Sequence, residues 1–228
     1  MCKSHVAAFI GLAVSAAAFS AATASADTIQ ATFNDITPGQ GVNFTLGANN
    51  SSTTAGVFNW TRTGGTYSGP GPSVGDPINS FCIELTQYIS YGGSYTYNVV
   101  ELKDASLHPV GMGQAKADMI SALWGQHHSD SMTIDEAAAF QISVWEIVHD
   151  TGSDITSGNF KVTTVSGFVT LAQDWLSTLD LNGPKASLLA MSRDGYQDHV
   201  FEVPTPGAAG LMLTGATLFG VRRRRRIA

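Results

Sequence analysis

Two cysteines are all the chain has, and Cys2 stands ahead of an apolar leader, so the body keeps only Cys82. A disulfide framework is thereby excluded, and the fold must rest on its core alone. Basic side chains are almost as scarce. Of twelve Lys and Arg, five form Arg222 to Arg226 and one is Lys3, leaving six scattered singly among eighteen acidic residues, a net charge near −12 for the body. Such a surface repels phosphate backbones and excludes nucleic acid as a partner. No internal repeat is present, which rules out a solenoid or propeller. There is no ladder of regularly spaced threonines, as an ice-binding face would need, and nothing calls for a cofactor.

What is present divides into three parts. Residues 1–26 read as a secretory signal, with Lys3 as the positive start, Val6 to Ala24 as the apolar stretch and Ala24-Ser25-Ala26 as the small-residue cleavage site. Cys2 would leave with it and is not a lipoprotein acceptor. Residues 27–203 are enough for one domain with its own core. Residues 204–228 begin at Pro204-Thr205-Pro206, continue as an apolar run from Gly207 to Val221, and end in Arg222, Arg223, Arg224, Arg225 and Arg226. As a helix that run would span about 22 Å, short of the ~30 Å hydrocarbon core, so it is a marginal inner-membrane span that needs bilayer thinning. The arginines should stay cytoplasmic and leave the domain outside. The alternative, a basic tail on anionic lipid or nucleic acid, sits poorly with a chain already directed outward.

This tail resembles the PEP-CTERM sorting signal, in which a Pro-Glu-Pro motif, an apolar helix and an arginine cluster are processed by an exosortase. Thr205 stands where that family carries glutamate. The resemblance implies an exosortase-like processing enzyme as a partner, and release to the cell surface or to extracellular matrix.

Within the body, the alternating runs Thr28–Phe33, Gly41–Leu46 and Ala55–Trp60 predict short strands divided by Pro38-Gly39 and Asn49-Asn50. A Gly, Pro and Ser-rich loop follows from Gly64 to Pro77. Strands are expected over Ile78–Ser90, which contains Cys82, and over Ser94–Leu102, then helices over Gln114–Trp124, Thr133–His149 and Val165–Leu179. Thr133-Ile134-Asp135-Glu136 is a capping box at the start of the second helix, which should end near Thr151-Gly152. A closing hairpin, Ala186–Ser192 with Asp198–Val203, turns at Asp194-Gly195. The fold class is therefore α+β: a β-rich sandwich or barrel with about three inserted helices, plus the single C-terminal apolar helix.

In the second helix Ile134, Ala138, Gln141, Trp145 and Val148 share one face, and Gln141 is its only polar member. A buried amide must be hydrogen-bonded or covalently used. An unpaired cysteine inside a strand is ordinarily a small inert apolar residue. The plainer reading is thus an inert cysteine with a hydrogen-bonded glutamine; the sharper one makes Cys82 and Gln141 the two reactants of an internal thioester.

The segment Ser80-Phe81-Cys82-Ile83-Glu84, with Phe140-Gln141-Ile142-Ser143-Val144-Trp145-Glu146 further on, resembles the thioester domains of bacterial surface adhesins. There the cysteine lies on a strand, and the glutamine opens a Gln-x-x-hydrophobic-Trp motif on a helix. The resemblance implies a Cys82–Gln141 crosslink, with Trp145 packed near it. Phe81, Phe140 and Trp145 would form an apolar pocket against hydrolysis. An amine on a surface protein or polysaccharide would then attack Gln141 once, as adhesion and not turnover.

Two other readings compete. Cys82 could be a hydrolase nucleophile, with His127, His128 or His149 as base and Asp150 to orient it, although His149 beside Asp150 also reads as a solvated, charged helix cap. His127-His128 with Asp130 lacks the spacing of a metal site and reads as a solvated turn. Tyr88, Tyr91, Tyr95 and Tyr97 alternate along two strands and could present a carbohydrate-stacking face, making this a non-covalent polysaccharide-binding surface protein of the biofilm matrix; sheet packing explains them equally.

Overall fold

The computed structural model describes residues 26–150 and 153–204. The export signal to residue 25, and the tail from Thr205 through Pro206 and the apolar run to Arg222 to Arg226, lie outside the described residues. Among the described residues no helix is long and apolar enough to cross a membrane.

The chain opens as one long hairpin, β1 (Thr28–Leu46) and β2 (Asn49–Gly64), turned at Gly47 with φ 60°. It is not broken into three runs. At Pro38-Gly39 the strand continues and the ladder shifts register, between Phe33 and Asp35 and again between Ile36 and Gly39. The extra residues switch which side chains face inward: Ile29, Ala31 and Phe33 are buried before the bulges, Val42 and Phe44 after them. Where the kinked strands cross, Gly39 opposes Gly56. A Cβ on Gly56 would collide with the Pro38 carbonyl oxygen and lie 2.5 Å from the Gly39 Cα.

The remaining strands are β3 (Pro77–Cys82), β4 (Ser94–Glu101), β5 (Phe160–Val162), β6 (Leu188–Ser192) and β7 (His199–Glu202). All pairings are antiparallel, in the order β2-β3-β7-β6-β4-β1-β5, and β1 also pairs β2, which closes the sheet on itself through every strand but β5. Inside it Trp60 makes edge contacts with Tyr97 and with His199, at ring centroids 5.8 and 4.9 Å. Between β4 and β6 the chain adds α1 (Gln114–His127), α2 (Ile134–His149) and α3 (Gly167–Thr178). The protein is α+β, as its patterning predicts.

Two expectations need correction. The strand drawn over Ile78–Ser90 stops at Cys82, because Glu84 turns back on itself: its Oε1 accepts from the Thr86 N–H at 2.7 Å and the Thr86 hydroxyl at 2.6 Å. The second helix is not one apolar stripe. Its capping box forms, with Thr133 Oγ1 accepting from Glu136 N at 3.2 Å and Glu136 Oε2 from Thr133 N at 2.8 Å, but every residue from Ala137 to Val148 is buried. The β1–β2 hairpin packs on it, as do α1 and α3, while Ile134, expected on the inner face, is 55% exposed. The three-residue β5 is too short to show a period.

The Gly39–Gly56 crossing sets a stability test. Gly56→Ala should cost about 1–3 kcal/mol in urea unfolding through forced overpacking. Gly41→Ala, where a Cβ meets nothing within 4 Å, should change it by less than about 0.5 kcal/mol.

Candidate functional site

Cys82 is the last residue of β3. In the ladder to β2, Phe58 pairs with Ser80, and there β2 parts from β3. Cys82 therefore arrives with an N–H and a C=O that point toward a missing strand. Gln141 supplies the missing partner from the middle of α2. Its Oε1 accepts from Cys82 N at 2.9 Å and its Nε2 donates to Cys82 O at 2.8 Å, so the carboxamide stands in for a peptide unit of β2. Both residues are fully buried.

The other edge of the segment is held as firmly. Ile83 N donates to Asp198 O at 2.9 Å, and Ile83 O accepts from the Ser106 hydroxyl at 2.6 Å. Asp198, itself fully buried, accepts at Oδ2 from Ser106 N, Ser192 Oγ and His108 Nε2, at 2.8, 2.8 and 3.0 Å, and at Oδ1 from Arg193 N at 2.8 Å. Ser106 and Leu107 sit at φ 57° and 48°, a left-handed conformation that costs roughly 1–2 kcal/mol per residue. The Asp198 bonds hold them there. Nothing in the sequence singles out Ser106 or Asp198, because the contact spans two loops far apart along the chain.

The thiol is shielded and weakly acidic. Cys82 Sγ donates to Glu84 O at 2.7 Å, and burial pushes its pKa up to about 12, against smaller opposing effects of the Glu84 backbone and the Trp145 indole. Trp145, one helical turn beyond Gln141, brings its buried Nε1–H near enough to the thiol to favour the thiolate, although it meets no acceptor in regular hydrogen-bond geometry among the described residues. The expected pocket residues separate into two clusters. Phe81 and Phe140 touch at ring centroids 4.4 Å together with Trp124, whereas Trp145 lies with Phe44 at 6.1 Å and Phe160 at 6.3 Å. Of these aromatic residues Trp145 is the one that acts on the thiol.

The side chains of the hydrolase reading lie elsewhere. His127 stacks on Trp175 at 4.7 Å and His128 on Trp124 at 4.4 Å, so neither is in a solvated turn. His149 is no charged cap: burial lowers its pKa to about 4, and its Nε2 has no hydrogen-bond partner among the described residues. Asp150 Oδ2 accepts from the N–H groups of Asn159 and Phe160, at 2.5 and 3.2 Å. Among the described residues no hydrogen bond joins any of the three histidines to the thiol. Nor does any group of three or more His, Cys, Asp and Glu there form a possible metal site. Of the four tyrosines, Tyr97 is buried and Tyr95 half-buried, while Tyr88 and Tyr91 are exposed on the segment beyond β3.

The chain matches no protein-family model and no curated protein. Its chemistry has to be read from the site. A primary carboxamide is hydrogen-bonded to the peptide of the body's one cysteine in a buried, apolar setting, with no base hydrogen-bonded to the sulfur among the described residues.

Glu146 stands next to Trp145 on α2 and is buried. Both its oxygens are buried without a hydrogen-bond partner among the described residues, and burial first, then Asp150 and Asp154, raises its pKa to about 8.

Two tests follow from this geometry. Gln141→Leu should orphan the Cys82 N–H and C=O and lower stability by about 1–3 kcal/mol for each group, read by urea unfolding. The pH profile has two opposed limbs. Between the ordinary carboxylate value of 4.5 and about 8, the folded chain keeps a proton on Glu146 that the unfolded chain releases, so stability falls as pH rises. Below 6.5 the unfolded chain protonates His149 and His199, which the fold holds neutral down to about 4 and about 3, so stability falls as pH drops. Glu146→Gln should flatten the first limb in pH-dependent unfolding and leave the second.

Proposed function

We propose that this is an exported attachment protein, carried by its tail to the inner membrane and then to the cell surface or matrix, which bonds covalently to an amine-bearing partner through a Cys82–Gln141 thioester. The observation that carries the reading is the reciprocal pair of hydrogen bonds between the Gln141 carboxamide and the Cys82 peptide, deep in an apolar setting. A glutamine needed only for packing could be replaced by leucine; this one is fixed against the single cysteine of the body.

Chemically, Cys82 Sγ adds to Gln141 Cδ, the thiol proton passes to Nε2, and the C–N bond breaks to release ammonia. Sulfur donates weakly into a carbonyl, so the product is an activated acyl group. Burial that holds the thiol near a pKa of about 12 also excludes the water that would hydrolyse it. Loss of Nε2 strips the Cys82 carbonyl of its donor. A primary amine on the partner then attacks Cδ, sulfur leaves and recovers a proton, and the new secondary amide again carries one N–H that can serve that carbonyl. The reaction is used once.

Intact mass of the purified protein tests it. The expected mass is one ammonia below that of the mature chain's sequence, rising on exposure to methylamine by the mass of that amine, with both effects lost in Cys82→Ala and in Gln141→Ala. A full mass with no methylamine uptake sinks the thioester. A cysteine hydrolase would instead show full mass and a native thiol open to iodoacetamide.

A further inference from the structure

A second site lies apart from the buried pair, and its chemistry does not depend on the thioester. Between the outer half of the β1–β2 hairpin and the segment that leaves β3 runs an open groove of about 620 Å³, within the ~300–1,000 Å³ of ordinary ligand clefts. No charged side chain lines it, on a body with six basic and eighteen acidic residues. A ligand that relied on charge would find no partner here, and an acidic polymer would be repelled by the whole surface.

The groove has an aromatic platform. Tyr91 lies flat on Phe33, with ring centroids 5.0 Å apart and planes 19° from parallel, yet is 65% exposed, so one face is fixed and the other is open. Tyr88, on the same wall, is 74% exposed. The other large exposed apolar side chains, such as Val110 and Val165, are not in it. Asn43 and its cross-strand partner Ser52, which share one face of the hairpin, line it together with Gln197, and the side chains of all three make no hydrogen bond among the described residues. Gly41 leaves the floor clear, since a Cβ there would meet nothing within 4 Å.

We infer that this groove binds a neutral saccharide. Sugar rings present an apolar C–H face that packs on an aromatic plane, and around it hydroxyls that donate and accept at once. Uncharged amides and hydroxyls that the fold leaves unused answer both halves of that requirement. The platform is already held by Phe33, so little ordering entropy is lost on binding.

The test uses the folded domain and soluble, uncharged hexasaccharides of glucose, mannose and N-acetylglucosamine, with an oligogalacturonate as the acidic comparison, in titration calorimetry. At least one neutral sugar should bind and the acidic one should not. Tyr88→Ala, whose ring makes no contact with another ring, should weaken binding about tenfold or more. Gly41→Phe, which places a ring in the groove, should abolish it, with unfolding midpoints checked for both variants. The assignment is overturned if no neutral sugar binds, if the oligogalacturonate binds as well as they do, or if Tyr88→Ala and Gly41→Phe both bind as the parent does.

Discussion

A peptide unit without a strand to pair with is the constraint around which this molecule is arranged. Cys82 ends β3 where β2 has already turned away, deep enough that water cannot fill its N–H and C=O. Leaving both unmet would cost several kcal/mol. The Gln141 carboxamide, with an NH2 donor and a carbonyl acceptor in one plane, satisfies a peptide on both counts. It can reach only because α2 is sunk into the fold, enclosed by the β1–β2 hairpin and by both other helices. The burial of a whole helix and the fit of one amide are thus the same fact.

That depth treats the polar groups on α2 unequally. Ser143 bonds back to Ala139 O at 2.8 Å and Gln141 makes two hydrogen bonds, while Glu146 finds no hydrogen-bond partner among the described residues and burial raises its pKa instead. One side of the Cys82 segment is satisfied by a helix. The other is held by Asp198 and Ser106, at the expense of two left-handed residues.

Much of this was legible in the sequence, for identifiable reasons. The capping box announced where α2 begins, and the change from alternation to helical spacing separated sheet from helices. Gln141 stood out as a polar residue among apolar ones, and Cys82 as the sole cysteine of the body. The misreadings came where local signals are ambiguous. Pro38-Gly39 has the composition of a turn and serves as a bulge, because a partner strand continues opposite. Thr86 and Glu84 end β3 through a side-chain turn that Tyr88 and Ile89, with good strand propensity, disguise. The Asp198 and Ser106 restraint left no trace, since each residue alone is ordinary. The histidines looked solvated because their neighbours in sequence are polar; their neighbours in space are Trp124 and Trp175.

The position of β7 has a mechanical consequence. It runs antiparallel to β3, with His199 beside Cys82 and Phe201 beside Ser80, so Pro204 leaves from the end of the pair remote from Cys82. Traction applied beyond Pro204 against a hold elsewhere on the body would draw β7 lengthwise along β3. Every rung between them would be loaded together, and β6 on the far side of β7 would share the strain. Ladders stressed in shear yield far less readily than those peeled open rung by rung.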